Sequence, residues 1–177
     1  ISPSGMDYFK LEPSDIVVMD LDGNVVDGKR KPSSEYEMHS IFYRERKDIL
    51  SVVHAHSTYS SILARLNWGI EPCSYLIGSA GGNVRCTKYE TFGTYELAQS
   101  ALEGMKDRYA VLLGNHGLLA GGEDLPTAFD NAEEIEFCAE IYYKCKLAGN
   151  PVLLSDEQLA EVLRKFAVYG VQPEVNE

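Results

Sequence analysis

The hydrophobic positions first mark out the strands. Short runs rich in β-branched and other apolar residues, bounded by glycine or polar residues, predict strands at residues 16–21, 49–54 and 110–113. The tight-turn sequence Asp-Gly-Asn follows the first run and precedes Val25 and Val26, which predicts a β-hairpin. The glycine-rich stretch 75–86 fits a loop or a broken strand.

Other segments carry apolar residues three or four positions apart, which is the spacing of an amphipathic helix. They predict helices over about 34–46, 58–66, 94–106 and 125–147, with a last helix from residue 155. Ser34 and Glu37 resemble a capping box at the start of the first helix. Strands and helices mixed in one chain predict an α/β or α+β sandwich in a single domain, residues 1–177.

Composition limits the partners. Hydrophobic residues are 45% of the 177, which is enough for a sizeable core, and the net charge is −11. Such an acidic surface repels nucleic acid and anionic membranes at long range but still allows a small phosphorylated ligand. No apolar run reaches the roughly 20 residues of a membrane helix, and no signal peptide is visible. Four unpaired cysteines fit a reducing cytoplasm.

The strongest chemical signal is a set of three histidines. His54 and His56 are two apart at the end of a predicted strand, so both imidazoles point to one face. His116 follows another predicted strand, in the sequence Asn-His-Gly. A short His-x-His pair is weak by itself, but the third histidine makes a metal site the favoured reading. Three imidazoles favour zinc and leave a fourth position open for a substrate, with manganese and cobalt as alternatives.

Several polar residues have both a functional and a structural interpretation. Glu35 is a general base, a fourth metal ligand that moves away when substrate binds, or simply an acid in the first turn of a helix. His39, four residues later, is expected to be packed or solvent-facing rather than a ligand. Ser33 and Ser34, with Ser4 and Gly5 from the first turn, would either bind an anion or serve as caps and turns. The default role of three aromatic residues is core packing: Tyr75, Phe92 and Tyr169.

Ordered motifs along nearly the whole chain resemble a known family. They are Ser-Pro-Ser-Gly-Met-Asp-Tyr, Lys-Pro-Ser-Ser-Glu-Tyr-Glu-Met-His, Val-Val-His-Ala-His-Ser, Thr-Phe-Gly-Thr and Asn-His-Gly-Leu. The chain resembles the class II aldolase and L-ribulose-5-phosphate 4-epimerase superfamily. Tyr-Leu-Ile-Gly-Ser-Ala-Gly-Gly-Asn and the closing Lys-Phe-Ala-Val-Tyr-Gly are similar to its L-fuculose 1-phosphate branch.

That resemblance implies a three-layer α/β/α sandwich around a mostly antiparallel sheet, and roles for particular residues. His54, His56 and His116 match zinc ligands, and Glu35 matches an acid/base that also approaches the metal. Tyr75 and Tyr169 match catalytic residues that are brought in at the subunit interface to handle the aldehyde half of the substrate. The remaining matches are substrate contacts: Ser4, Gly5, Ser33 and Ser34 for the phosphate, and Phe92 for the shape of the aldehyde half. The family's upstream helix and Gly-Asn-x-Ser phosphate loop have no counterpart here, and we expect that an upstream segment precedes Ile1.

The implied activity is that of a metal-dependent lyase. It would reversibly cleave L-fuculose 1-phosphate to dihydroxyacetone phosphate and L-lactaldehyde, in fucose degradation. A homotetramer with sites between adjacent subunits is also implied. Glu35 tilts the interpretation away from an epimerase, because epimerases of the superfamily usually carry Asp there. Two alternatives stay open: a related epimerase, dehydratase or decarboxylase, and a non-catalytic scaffold of the adducin type.

Overall fold

The computed structural model describes residues 1–166. Its strands are β1 (Val18–Met19), β2 (Val25–Asp27), β3 (Ser51–Ala55), β4 (Arg85–Cys86), β5 (Ala110–Leu113) and β6 (Gly117–Gly122). Its α-helices are α1 (Tyr36–Glu45), α2 (Thr58–Leu66), α3 (Tyr95–Gly104), α4 (Leu125–Ala148) and α5 (Asp156–Phe166). Three 3-10 helices occupy Tyr8–Lys10, Pro13–Asp15 and Tyr75–Ala80. Within these residues, no helix has both the length and the apolar character needed to cross a membrane.

The central sheet has the strand order β3-β6-β5-β4. β6 pairs antiparallel with both β3 and β5, and β4 pairs parallel with β5. The sheet is therefore mostly antiparallel, as predicted. β1 and β2 form a separate two-stranded antiparallel sheet, which confirms the predicted hairpin.

Hydrophobic residues of β5 and β6 alternate between two cores, one on each face of the sheet. Leu112 and Leu118 pack with residues of α2 and α4, including Leu63 and Ile135. Their chain neighbours pack on the other face, against α1 and α3: Val111, Leu113 and Leu119 with Met38, Phe42 and Leu97. This period of two is what a strand buried on both faces requires. Helices thus cover both faces of the sheet, and the predicted α/β/α sandwich is confirmed.

The predicted capping box at the start of α1 is wrong. The helix begins at Tyr36 with Glu35 as the N-cap residue, and no side chain caps it. The Glu35 amide donates to Ser33 Oγ over 3.2 Å, while Glu37 forms an ion pair with Arg44. The cause lies upstream, because the Ser33 amide donates to the Ser2 carbonyl over 3.1 Å, and the chain then makes a turn at Ser34 and Glu35 before the helix begins.

The sequence pattern did not indicate β6, because its sequence Gly-Leu-Leu-Ala-Gly-Gly has glycines at both ends. These glycines are needed for close packing. A Cβ at Gly122 would lie 2.6 Å from the Ala128 amide nitrogen of α4, and one at Gly121 would lie 2.9 Å from Ile49 Cγ2. The glycine-rich stretch 75–86 also contains more structure than predicted, since it forms a 3-10 helix and then β4.

Candidate metal centre and active site

The three predicted histidine ligands converge at one end of the central sheet. The His54 ring centroid lies 4.8 Å from those of His56 and His116, and the last two are 5.0 Å apart. One nitrogen from each ring lies within 4.8 Å of the others. β3 brings His54 and His56 to this end, and the β5–β6 turn brings His116, so the sheet itself assembles the cluster.

The hydrogen bonds of His54 prepare it to bind a metal. Its Nδ1–H donates to the Leu118 carbonyl over 2.8 Å, which leaves the lone pair on Nε2. That Nε2 lies 3.1 Å from His56 Nε2. Two imidazole nitrogens on one tetrahedral zinc, each about 2.0–2.1 Å from the ion, would be separated by about 3.3 Å. The donor set, the tautomer and the spacing therefore fit a divalent ion such as zinc.

Electrostatics keep two of these rings neutral. Burial, together with smaller contributions from the nearby His116 and His56, lowers the pKa of His54 to about 3, although the hydrogen bond with the Leu118 carbonyl opposes this shift. Burial also lowers the pKa of His116, with smaller contributions from His56 and Arg65. Neutral imidazole is the form that donates an electron pair to a metal, so these two rings are available as ligands at neutral pH.

The turn that carries His116 is tightly constrained. Asn115 has a left-handed backbone with φ 55°, and its amide donates to the Ala64 carbonyl of α2 over 3.1 Å. The residue after His116 must be small, because a Cβ on Gly117 would lie 2.5 Å from the Ala55 carbonyl oxygen and 2.9 Å from His56 Cδ2. Gly117 thus lets the turn approach the His54–His56 strand.

Glu35 and His54 line the same cleft, whose volume is about 530 Å³. Burial raises the pKa of Glu35, and a hydrogen bond from the Gly93 amide partly offsets that rise. Glu35 Oε2 is buried without a hydrogen-bond partner in the described part of the chain. A carboxyl with a raised pKa beside a metal site is suited to proton transfer. The role of Glu35 as an acid/base and as a metal ligand stays a prediction.

His39 lies in the wall of this cleft, outside the three-histidine cluster. Burial lowers its pKa to about 4, and a hydrogen bond with the Val52 backbone opposes that shift. His39 therefore packs as a neutral ring between α1 and β3, in line with its expected packing role.

The predicted phosphate contacts are brought together by a short pairing of two loops. Pro3 and Pro32 form an antiparallel bridge, and the Ser4 amide donates to the Lys31 carbonyl over 2.9 Å. This pairing places Ser4 and Gly5 beside the loop that carries Ser33 and Ser34. Whether these residues bind phosphate stays a prediction.

The expectation of core packing is wrong for two of the three aromatic residues. Tyr75 is 61% exposed and Phe92 is 64% exposed. Tyr75 begins the 3-10 helix at Tyr75–Ala80, and its ring centroid lies 6.5 Å from that of Phe166. Phe92 precedes Gly93, whose amide bonds to Glu35, so Phe92 belongs to a loop at the cleft. Tyr169 lies outside the described residues.

The sequence patterns did not identify two groups that hold the histidine cluster in place. One is the Leu118 carbonyl, which carries no side-chain signal. The other is Glu136 of α4, whose carboxylate accepts hydrogen bonds from the segment that directly follows His56. An acidic residue among apolar positions of a long helix was the one signal available for Glu136.

Fold and site together define an α/β sandwich with three histidines at one sheet end that could hold a metal ion. Residues 1–143 match the family described as "Class II Aldolase and Adducin N-terminal domain". The chain belongs to this family, and the resemblance inferred from the motifs is confirmed.

Individual relatives agree with the family. The chain is 54% identical to a 5-deoxy-D-ribulose 1-phosphate aldolase of Bacillus thuringiensis serovar kurstaki, over 97% of this chain and 81% of that protein. It is 41% identical to the L-fuculose phosphate aldolase of Escherichia coli strain K12, over 98% and 81%. A solved structure titled "L-fuculose 1-phosphate aldolase" superposes with a TM-score of 0.92 at 49% identity, covering 94% of this chain and 78% of that one. The predicted class, an aldolase-type lyase, is confirmed at this level.

Proposed function

We propose that the protein is a divalent-metal aldolase that cleaves a ketose 1-phosphate with a deoxy terminus. The observation that carries this proposal is the convergence of His54, His56 and His116, with their ligand nitrogens within 4.8 Å of one another. Zinc is the proposed ion because three imidazoles leave one position for substrate oxygens. Glu35, in the same cleft as His54, is the proposed proton-transfer group.

The proposed substrate is 5-deoxyribulose 1-phosphate, with L-fuculose 1-phosphate as the second candidate. The first is favoured because the relative at 54% identity is named for it, whereas the fuculose phosphate aldolase of Escherichia coli is 41% identical. Both compounds have a phosphate at C1, a ketone at C2 and a terminal methyl group. Cleavage between C3 and C4 gives dihydroxyacetone phosphate from either, together with acetaldehyde or L-lactaldehyde.

The reaction needs proton transfers at two atoms. The C4 hydroxyl loses its proton as the C3–C4 bond breaks and C4 becomes the aldehyde carbon, and C3 keeps the bonding electrons until it receives a proton. We assign the proton at C3 to Glu35 and the proton at the C4 oxygen to Tyr75, whose exposed side chain is free to meet a substrate. When bound, the ion supplies Lewis-acid stabilisation of the negative charge that develops on the ketose oxygens.

The other substrate contacts follow the loop geometry. Ser4, Gly5, Ser33 and Ser34 would offer hydroxyls and amides to the phosphate, since the Pro3–Pro32 bridge brings their loops together. Phe92 and Tyr169 would shape the aldehyde half of the site. The exposure of Tyr75 and Phe92 also supports a homotetramer in which a neighbouring subunit completes the site, because large exposed aromatics are common at interfaces. The free cysteines support a cytoplasmic location.

Two rival functions are distinguished by simple measurements. A sugar-phosphate epimerase, dehydratase or decarboxylase would use the same metal site but release no dihydroxyacetone phosphate. An adducin-like scaffold would need no metal, and the assembled histidine cluster argues against it.

The test combines elemental analysis of the purified protein with a coupled assay for dihydroxyacetone phosphate. The substrates are 5-deoxyribulose 1-phosphate, L-fuculose 1-phosphate and ribulose 5-phosphate. We expect about one divalent ion per chain, release of the triose phosphate from the first two substrates, and loss of activity on chelation. In His116→Ala, both the metal and the activity should be lost. Cleavage that survives complete metal removal would contradict the proposal.

A further inference from the structure

Glu136 of α4 forms a hydrogen-bonded junction with the start of α2, far away in the sequence. Its carboxylate accepts from Ser57 Oγ over 2.7 Å, from the Tyr59 amide over 2.7 Å and from the Ser60 amide over 2.9 Å. One carboxylate thus accepts three hydrogen bonds from a segment of four consecutive residues. The catalytic roles assigned above make no use of it.

This junction replaces the usual cap of a helix. Ser57 is the N-cap residue of α2, with extended backbone angles of φ −65° and ψ 154°. Such a serine normally accepts from an amide in the first turn through its own hydroxyl, but Ser57 makes no such bond. Its hydroxyl donates to Glu136 instead, and Glu136 accepts the amides of the second and third helical residues. The acidic group also complements the positive end of the helix dipole.

The capped turn directly follows His56, the exposed member of the three-histidine cluster. His54 lies within β3 and is held by the Leu118 carbonyl. His56 lies one residue beyond the end of β3, is exposed, and is joined on its other side to Ser57. The path of the chain through His56 is therefore set by two anchors: the end of β3 and the carboxylate of Glu136.

α4 provides a firm base for this anchor. Asn131, which is buried, donates through its side-chain amide to the Gly121 carbonyl of β6 over 2.9 Å. Ile135, next to Glu136, is fully buried in the core beneath α2 and α4. Glu136 is thus a fixed point against which the start of α2 is held.

We propose that Glu136 is a positioning residue for the metal centre: it holds the turn 57–60 and thereby keeps the His56 imidazole in place as a ligand. The inference rests on the proposed function, because it presupposes that the three histidines bind a divalent ion. Glu136 acts through His56 and does not itself contact the ion. Groups that orient a metal ligand typically contribute 10–100-fold to metal affinity.

The experiment compares Glu136→Gln with Glu133→Gln, an exposed glutamate on the same helix that serves as the matched control. Glutamine keeps the size of the side chain but removes the charge, and it replaces one acceptor oxygen with a donor that faces other donors. Metal-free protein is titrated with zinc against a chromophoric chelator. The absorption spectrum of the cobalt(II) form reports ligand geometry, and urea unfolding of the metal-free form reports stability.

We expect Glu136→Gln to bind zinc 10–100-fold more weakly and to show an altered cobalt spectrum, while Glu133→Gln stays within about twofold of wild type. A stability loss with unchanged zinc affinity and cobalt spectrum would reduce Glu136 to a helix cap and overturn the proposal. If Glu136→Gln does not fold, Ser57→Ala decides, since it removes one of the three donors. It should weaken zinc binding several-fold, and unchanged affinity would overturn the proposal. Failure of wild type itself to bind metal would instead refute the proposed function.

Discussion

The substitution Gly117→Ala tests how closely the turn carrying His116 must approach the strand carrying the other two ligands. An added Cβ would lie 2.5 Å from the Ala55 carbonyl oxygen and 2.9 Å from His56 Cδ2, whereas ordinary contacts are 3.4–4 Å. Neither neighbour can move at little cost, because the first is the backbone of a paired strand and the second belongs to a proposed metal ligand. The β3–β6 separation must open by roughly 0.9 Å, or His56 must rotate away.

Overpacking of this kind typically costs about 1–3 kcal/mol of stability. A misplacement of about 1 Å at a reacting centre can cost roughly 10²-fold in activity. We therefore expect Gly117→Ala to lose stability in urea unfolding, to bind zinc more weakly in chelator competition, and to lose about 10²-fold in kcat/KM. Gly149→Ala is the matched control, since a Cβ there meets nothing within 4 Å. Normal zinc affinity in a Gly117→Ala protein would refute the reasoning, because His56 would then tolerate the added methyl group.

Two further substitutions test the electrostatics. Glu35→Gln should lower turnover by about 10²–10⁴-fold. In urea unfolding of the metal-free protein, the variant should be more stable than wild type, and this gain should be larger at pH 8 than at pH 5. The sign follows because burial raises the folded-state pKa of Glu35 above 4.5, so the ionisation of Glu35 at higher pH destabilises the folded wild-type protein. A stability gain of the variant that is the same at both pH values would contradict this. Asp48→Asn should lower stability at pH 7 by at most about 1 kcal/mol, because Asp48 is half exposed. Hydrogen bonds from Arg46 lower the pKa of Asp48 to about 2, so the difference from wild type should shrink as pH falls from about 4 to 2, and a difference that persists at pH 2 would contradict the assignment.

The three-histidine cluster was predictable because each histidine has a local signal. A strand places alternate residues on one face, so His54 and His56 could be paired from their spacing alone. His116 stood out because it follows a buried strand and precedes a glycine. The sequence could not reveal that β6 lies between β3 and β5, because its terminal glycines resemble a loop. Those glycines are needed for contacts with Ile49 and α4, which exist only in the folded chain.

The groups that hold the histidines in place could not be predicted from the sequence. The Leu118 carbonyl that orients His54 belongs to the backbone, so the identity of the residue gives no indication of it. Glu136 is separated from Ser57 by 79 positions, and its partners include two backbone amides. The capping box failed for a related reason: Ser33 and Ser34 looked like a helix start, but Ser33 is bonded to Ser2, and a turn at Ser34 and Glu35 separates it from the helix. Local patterns identify side chains, whereas contacts between distant segments decide where those side chains are held.

The segment 114–136 has a larger part in the metal centre than its single ligand suggests. It supplies His116, the clearance at Gly117, the Leu118 carbonyl that orients His54, and the Glu136 carboxylate that holds the turn after His56. Because β6 pairs with β3 from Leu118 to Gly122 and is followed two residues later by α4, these contacts belong to one strand-and-helix unit. Both ligands of the His-x-His pair are therefore oriented from the opposite segment. A change in β6 or α4 that leaves every histidine intact should therefore still alter metal affinity.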